Sequence, residues 1–178
     1  MKQIKTAFLV MMLLTVLCGG IYPFLTWSVG QLLFRKEAMG SLLYVEGKVV
    51  GSELIGQSFT GKGYFHSRPS MALSKEHAEG YDALNSGASN LSVTSSKLLS
   101  DLLERAEKLR ARNFLESTTP IPLQAVTASA SGLDPHISIE HALLQLKRVS
   151  EERGVPEDEI RNLLLDFVES PTLGILGE

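Results

Sequence analysis

From Ala7 to Phe34 the chain reads AFLVMMLLTVLCGGIYPFLTWSVGQLLF, without one Asp, Glu, Lys, Arg or His. About 20 apolar residues suffice to cross a bilayer as a helix, so this run predicts one membrane span over about 7–33. A cleaved leader would share the basic start at Lys2 and Lys5. It would also end sooner, and here the apolar character continues through Tyr22, Phe24, Leu25, Trp27 and Val29. Large Leu17 beside Cys18 also disfavours a lipid-modified leader. Within the run, Gly19-Gly20 followed by Pro23 weakens a regular helix and predicts a kink or flexible point near mid-membrane. Thr15 and Gly19 form a small-xxx-small spacing that lets another helix approach closely.

Beyond Phe34 the pattern changes to short periods. LLYVEGKVVGS (42–52) predicts two strands around a turn at Glu46-Gly47. GYFHSRPS (63–70) predicts a short strand stopped by Pro69, and 71–96 a long loop rich in Ser, Gly, Asn and Ala. KLLSDLLERAEKLRAR (97–112) predicts an amphipathic helix capped by Ser95 or Ser96. Leu98, Leu99, Leu102, Leu103, Ala106 and Leu109 share one face, with Asp101–Arg105 and Glu104–Lys108 pairs on the other. IPLQAVTAS (121–129) alternates as a strand does. A second helix follows over 139–153, closed by Gly154, and Pro156 starts a third with Ile160, Leu163, Leu164, Phe167 and Val168 inward. The expected class is α+β: an N-terminal membrane anchor, 1–34, and a small mixed extracytoplasmic domain, 35–178.

Charge sharpens this division. Residues 35–178 carry 15 of the 17 Lys and Arg and all 20 Asp and Glu, a net −5, which disfavours nucleic acid or an anionic membrane surface as partner. The basic bias across the span is slight, with Lys2 and Lys5 against Arg35 and Lys36, and leans towards a cytoplasmic N-terminus. The single cysteine, Cys18, excludes a disulfide within the chain.

Candidate chemistry is sparse. GQSFTGKG (56–63) fits the start of a phosphate loop, but Gly63 stands where a hydroxyl residue would hold Mg²⁺, and YFHSRP is no helix start. His66, His77, His136 and His141 show no metal-binding spacing. Ser67 beside His66, or Ser131 with Asp134 and His136, provides the residue types of a serine hydrolase without a nucleophile-elbow motif. In ASASGLDPHIS (128–138), Gly132 can take positive φ, Asp134-Pro135 can start a helical turn and Ser138 can cap the next helix. That reads as a structural corner whose exposed serines and helix N-terminus offer a docking or anion-contact surface.

Together, GSELIGQSF (51–59), YFHSRPS (64–70), SGASNLSVT (86–94), VTASASGLDPHIS (126–138) and RVSEERGV (148–155), in this order after one span, resemble the C subunit of the bacterial Kdp potassium-transporting ATPase. The resemblance implies a single-pass inner-membrane protein with its domain on the outer face. Its implied partners are a channel-like potassium-binding subunit and a P-type ATP-hydrolysing subunit. It further implies a non-catalytic accessory role in assembly and stability, described for the family as a catalytic chaperone that raises the ATP affinity of the hydrolysing subunit. No cofactor of its own is implied, and ATP contact enters only through the family. The docking candidates are Gly19, Gly20 and Pro23 in the span, and Phe65, Ser67, Arg68, Pro69, Ser129, Gly132, Asp134 and His136 in the matching motifs 64–70 and 126–138. Family members usually continue beyond the segment matching TLGILGE (172–178), where this sequence stops at Glu178, so the expectation is that a final strand or tail of the family is absent or trimmed here. The alternative is a membrane-anchored extracytoplasmic serine hydrolase.

Overall fold

The computed structural model describes residues 2–169, so the segment TLGILGE lies outside the described residues. The chain divides into two compact units, one running to Leu54 and the other beginning at Ile55.

The first unit opens with an apolar helix over Lys2–Leu33, long enough to cross a membrane and without a buried residue. It consists of α1 (Lys2–Val16), a π turn (Leu17–Ile21) and α2 (Tyr22–Leu33). The π turn accommodates Pro23. In a regular α-helix its ring would strike the carbonyl four residues back, at Gly19, and it has no N–H to give. Widening the preceding turn moves that carbonyl away, and the Tyr22 N–H reaches back to the Leu17 oxygen. The expected discontinuity is therefore a wide turn inside an unbroken helix. Hydroxyls in the run turn back onto their own helix, Thr15 Oγ1 to the Met11 carbonyl at 2.8 Å and Ser28 Oγ to the Phe24 carbonyl at 2.7 Å, which satisfies them without water.

After a single turn, α3 (Arg35–Ala38), the predicted hairpin forms as antiparallel β1 (Leu42–Val45) and β2 (Lys48–Ser52). Glu46 (φ 51°) and Gly47 (φ 76°) both take the left-handed conformation that a two-residue hairpin turn needs. The pairing shifts between Leu43 and Tyr44, leaving Val50 as the extra residue of a bulge. Ser52 Oγ donates to the Gly40 carbonyl and Lys36 Nζ lies 2.8 Å from Glu53, fastening the hairpin to the end of α3.

The second unit holds α4 (Ser96–Arg112), a short 3₁₀ turn (Leu123–Ala125), α5 (Ile139–Leu143), α6 (Leu146–Arg153) and α7 (Glu157–Asp166). Ser95 caps α4 by accepting from the Leu98 N–H, and Ser138 caps α5 by accepting from the His141 N–H. Gly154 (φ 64°) ends α6 in the left-handed conformation, and Pro156 then leads into α7. The apolar centre is small: Leu146, Val149 and Ile160, with Phe65, Leu143 and Val155 against it.

Several expectations are corrected. Residues 63–70 form no strand, because their backbone groups pair with side chains instead of a neighbouring strand, as shown below. Residues 121–129 form no strand either. The Thr127 N–H and hydroxyl both turn back to the Leu123 carbonyl and close a tight turn. The helix over 139–153 is two helices joined at Leu144-Gln145, where the Gln145 N–H bonds three residues back to Ala142. On α4, Arg105 donates to the Val126 carbonyl at 3.1 Å, while Asp101 pairs with Lys97. Leu99 and Leu103, expected inward, are about 60% exposed, and Leu163 on α7 and Phe167 just after it are exposed as well.

Candidate functional site

The sequence motifs 65–70 and 127–138 meet in the second unit. Arg68 Nη1 lies 2.8 Å from Asp134 Oδ2, both side chains largely withdrawn from water, and Arg68 Nη2 lies 3.4 Å from the Thr127 carbonyl and hydroxyl oxygens. Ser70 is the second tie. Its hydroxyl donates to the Gly132 carbonyl at 2.6 Å and accepts from the N–H groups of Ala72 and Tyr81. The Tyr81 hydroxyl completes the corner, 3.0 Å from the Arg68 carbonyl and 3.2 Å from that of Asp134. Burial pushes this phenol above its ordinary pKa, so it remains a donor.

Glycine is required at two points here. Gly132 (φ 70°) leaves no room for a side chain, because a Cβ would stand 2.7 Å from the Gly87 carbonyl and 2.8 Å from the Ala72 nitrogen. At Gly56, whose N–H donates to the Leu133 carbonyl at 2.8 Å, a Cβ would stand 2.7 Å from the Tyr81 ring. Buried Ser129 accepts from the Gly132 N–H, and Asp134 Oδ1 accepts from the His136 N–H. Asp134-Pro135 therefore makes a side-chain-closed turn and no helical turn, and the helix waits for Ser138.

Behind this corner lies a polar centre. Gln145, 1% exposed, grips His66 as a strand would: its Oε1 accepts from the His66 N–H at 2.8 Å and its Nε2 donates to the His66 carbonyl at 3.0 Å. Arg148, 3% exposed, faces no carboxylate within ion-pair distance among the described residues. It donates to Asn113 Oδ1 (2.8 Å), Gln145 Oε1 (2.8 Å), the Tyr64 carbonyl (3.0 Å) and the Lys62 carbonyl. Arg112 Nη1 donates to His66 Nδ1 at 2.9 Å, so His66 Nε2 carries the proton and donates to the Gly61 carbonyl at 3.0 Å. Burial and the fields of Arg148 and Arg112 hold His66 below its ordinary pKa, outweighing the bond to Gly61. His141 is pushed down to about 4, chiefly by burial and then by His66 and Arg68.

This geometry fixes what the predicted residues do. Arg68, Ser129, Gly132 and Asp134 hold the corner, Phe65 packs on the apolar centre, and Ser67 Oγ donates to the Gln57 carbonyl at 3.3 Å. Pro69 is half-buried, and His136 is exposed with Nδ1 3.5 Å from Asp134. His136 bonds to neither Ser67 nor Ser131, so no nucleophile–base pair is assembled among the described residues. The carbonyls of Gly61, Lys62, Gly63 and Tyr64 turn to His66, Arg148 and Arg153, which is the opposite of a phosphate cradle. Gln145, Arg148, Asn113 and Tyr81 were missed from sequence. Gln145 and Arg148 did leave a signal, two polar residues flanking Leu146 and Val149 on one helix face.

In the first unit, a shallow groove follows one face of the apolar helix past Ala7, Met11, Thr15, Cys18 and Gly19. A Cβ at Gly19 or Gly20 would meet nothing, so both glycines lie open to whatever packs there. Gly20 and Pro23 do not line the groove.

A family model described as "K+-transporting ATPase, c chain" matches residues 4–178. Potassium-transporting ATPase KdpC subunits resemble this chain throughout. That of Nitratidesulfovibrio vulgaris is 46% identical over 98% of this chain and 86% of its own length. Those of Rhodopseudomonas palustris and Mycobacterium bovis are 44% and 42% identical, over 100% and 99% of this chain and 90% and 91% of their own.

Proposed function

This chain belongs to the KdpC family, the c chain of the K+-transporting ATPase, and from that premise we propose that it is a non-catalytic accessory subunit that assembles and stabilises the pump. It crosses the inner membrane once, with the N-terminus cytoplasmic and the domain outside. The helix Lys2–Leu33 is the observation that carries this reading: it is long and apolar enough to span, buries none of its residues and bears a groove past Thr15, Cys18 and Gly19. Such a surface is completed by other helices. The partners are the channel-like potassium-binding subunit and the ATP-hydrolysing P-type subunit, and the net charge of −5 over 35–178 favours cations near the outer entrance. Any gain in ATP affinity passes through the assembled complex and not through a nucleotide site on this chain, a reading supported by the inward-turned carbonyls of 61–64.

The test is mild-detergent extraction through a C-terminal tag, with potassium-stimulated ATP hydrolysis assayed in the eluate. Two larger membrane subunits co-purifying with that activity are expected. A solitary, inactive chain from cells expressing both would overturn the proposal.

A further inference from the structure

The span and the hairpin that follows it are joined without a free linker. An added Cβ at Gly30 would touch the Ala38 Cβ at 3.6 Å, so α3 folds back beside the last turn of the span instead of prolonging it. In a continuous helix those two residues would stand about 12 Å apart along the axis. From that level the chain enters the hairpin, whose base is fixed there. The Ser41 N–H donates to the Lys36 carbonyl at 3.0 Å, and the Glu53 N–H donates to the Ser41 carbonyl at 3.0 Å. As a helix the charge-free run 7–34 is about 42 Å long, against about 30 Å of hydrocarbon core. Centred on the core, it reaches about 6 Å beyond on either side, which puts Phe34 in the headgroup layer and Gly30, one turn earlier, at the hydrocarbon edge.

The hairpin suits that level. Tyr44 and Val49 pair across the strands and are exposed, with Leu42 on the same side, whereas the other side carries Lys48 opposite Val45. A two-stranded hairpin is marginal alone in water and needs a covering surface. Arg35, Lys36 and Lys48 balance Glu37, Glu46 and Glu53, so the net −5 belongs to 55–178 and the hairpin segment is not repelled by anionic lipid. We infer that the β1–β2 hairpin is a second membrane contact, lying at the boundary of headgroups and hydrocarbon beside the end of the span, with Leu42, Tyr44 and Val49 towards lipid. The inference rests on the reading of Lys2–Leu33 as a span and adds a lipid-facing surface to it. A tyrosine ring enters hydrocarbon while its hydroxyl keeps water or headgroup partners, and Lys48 on the opposite side stays in water.

A nitroxide spin label reports the contact. In the full chain it is attached to the native Cys18 or, in a Cys18→Ser background, at Tyr44→Cys or at Leu84→Cys, Leu84 being almost fully exposed. Collisions with oxygen, which concentrates in hydrocarbon, and with a water-soluble nickel chelate are measured in lipid bilayers, for the chain alone and assembled with unlabelled pump subunits. The label at 44 is expected to keep its oxygen collisions and to lose most of the nickel collisions seen at 84, in both states. A label at 44 as open to nickel as that at 84, with the label at 18 shielded from nickel, overturns this inference and leaves the span reading intact. A label at 44 shielded from both reagents, alone or on assembly, overturns it in favour of cover by protein. Nickel reaching the label at 18 overturns the span reading and this inference together.

Discussion

Arg68 and Arg148 are both withdrawn from water, yet only Arg68 has a carboxylate, Asp134 at 2.8 Å. Arg148 is surrounded by neutral oxygens from the 61–66 loop, the end of α4 and α6. A carboxylate neutralises charge from one direction. Neutral acceptors must do so from several, so Arg148 fixes the relative positions of three segments that have few apolar contacts to fix them. Arg68 pins one loop to another at the rim.

The sharpest way to break this comparison is to remove each cation. Arg148→Met orphans the Asn113 amide oxygen and the Lys62 and Tyr64 carbonyls and should cost about 3–5 kcal/mol, read as a fall in unfolding midpoint of the full chain in detergent. Arg68→Met should cost less, and equal losses would show that the carboxylate-free site has no special role.

Acid is the next probe. His141 is held to about 4 inside the fold against an ordinary 6.5, and His66 is lowered as well. The folded state therefore binds fewer protons than the unfolded one. Its stability should be constant above about pH 6.5 and fall as pH drops towards 4, by roughly 3 kcal/mol from His141 alone. Melting across that range, repeated on His141→Leu, should show a shallower fall in the variant. An unchanged slope would place the sensitivity elsewhere.

At the rim, Asp134→Asn keeps the acceptor for the His136 N–H and removes the ion pair, and should cost about 1–2 kcal/mol in the same melts. A loss as large as that of Arg148→Met would reverse the ranking of the two arginines. The smallest effect belongs to exposed Leu99 and Leu103: their change to Ser should move stability of the isolated chain by no more than about 0.5 kcal/mol. A larger loss would place them in an interior.

What the sequence disclosed was local. The Glu46-Gly47 turn, the Ser95 and Ser138 caps and the Gly154 stop each depend on residues a few positions apart. Failure came where pairing is distant. Residues 63–70 look like a strand because their backbone is paired, but the partner is Gln145, 79 positions from His66 and not itself in a strand. Gly19-Gly20 and Pro23 marked the place of the helix irregularity without its form, since a kink and a π turn both answer a missing N–H. At the candidate site, Gly132 and Asp134 were legible as residues of a corner, whereas Arg68 and Ser129 were named only as docking candidates and their bonds to residues tens of positions or a turn away were not foreseen. Arg148 and Asn113 were not singled out, because solvation by carbonyl oxygens leaves no charge pattern in sequence.

The Gln145 grip on His66 has a consequence for how this protein behaves in a crowd. A loop whose N–H and C=O are taken by a side-chain amide presents no open ladder at that point for another extended chain to copy. Among the described residues the only sheet is the β1–β2 hairpin, which its bulge twists. The 63–70 loop of the free subunit therefore offers no template there for strand-by-strand aggregation, although the apolar span remains in need of cover.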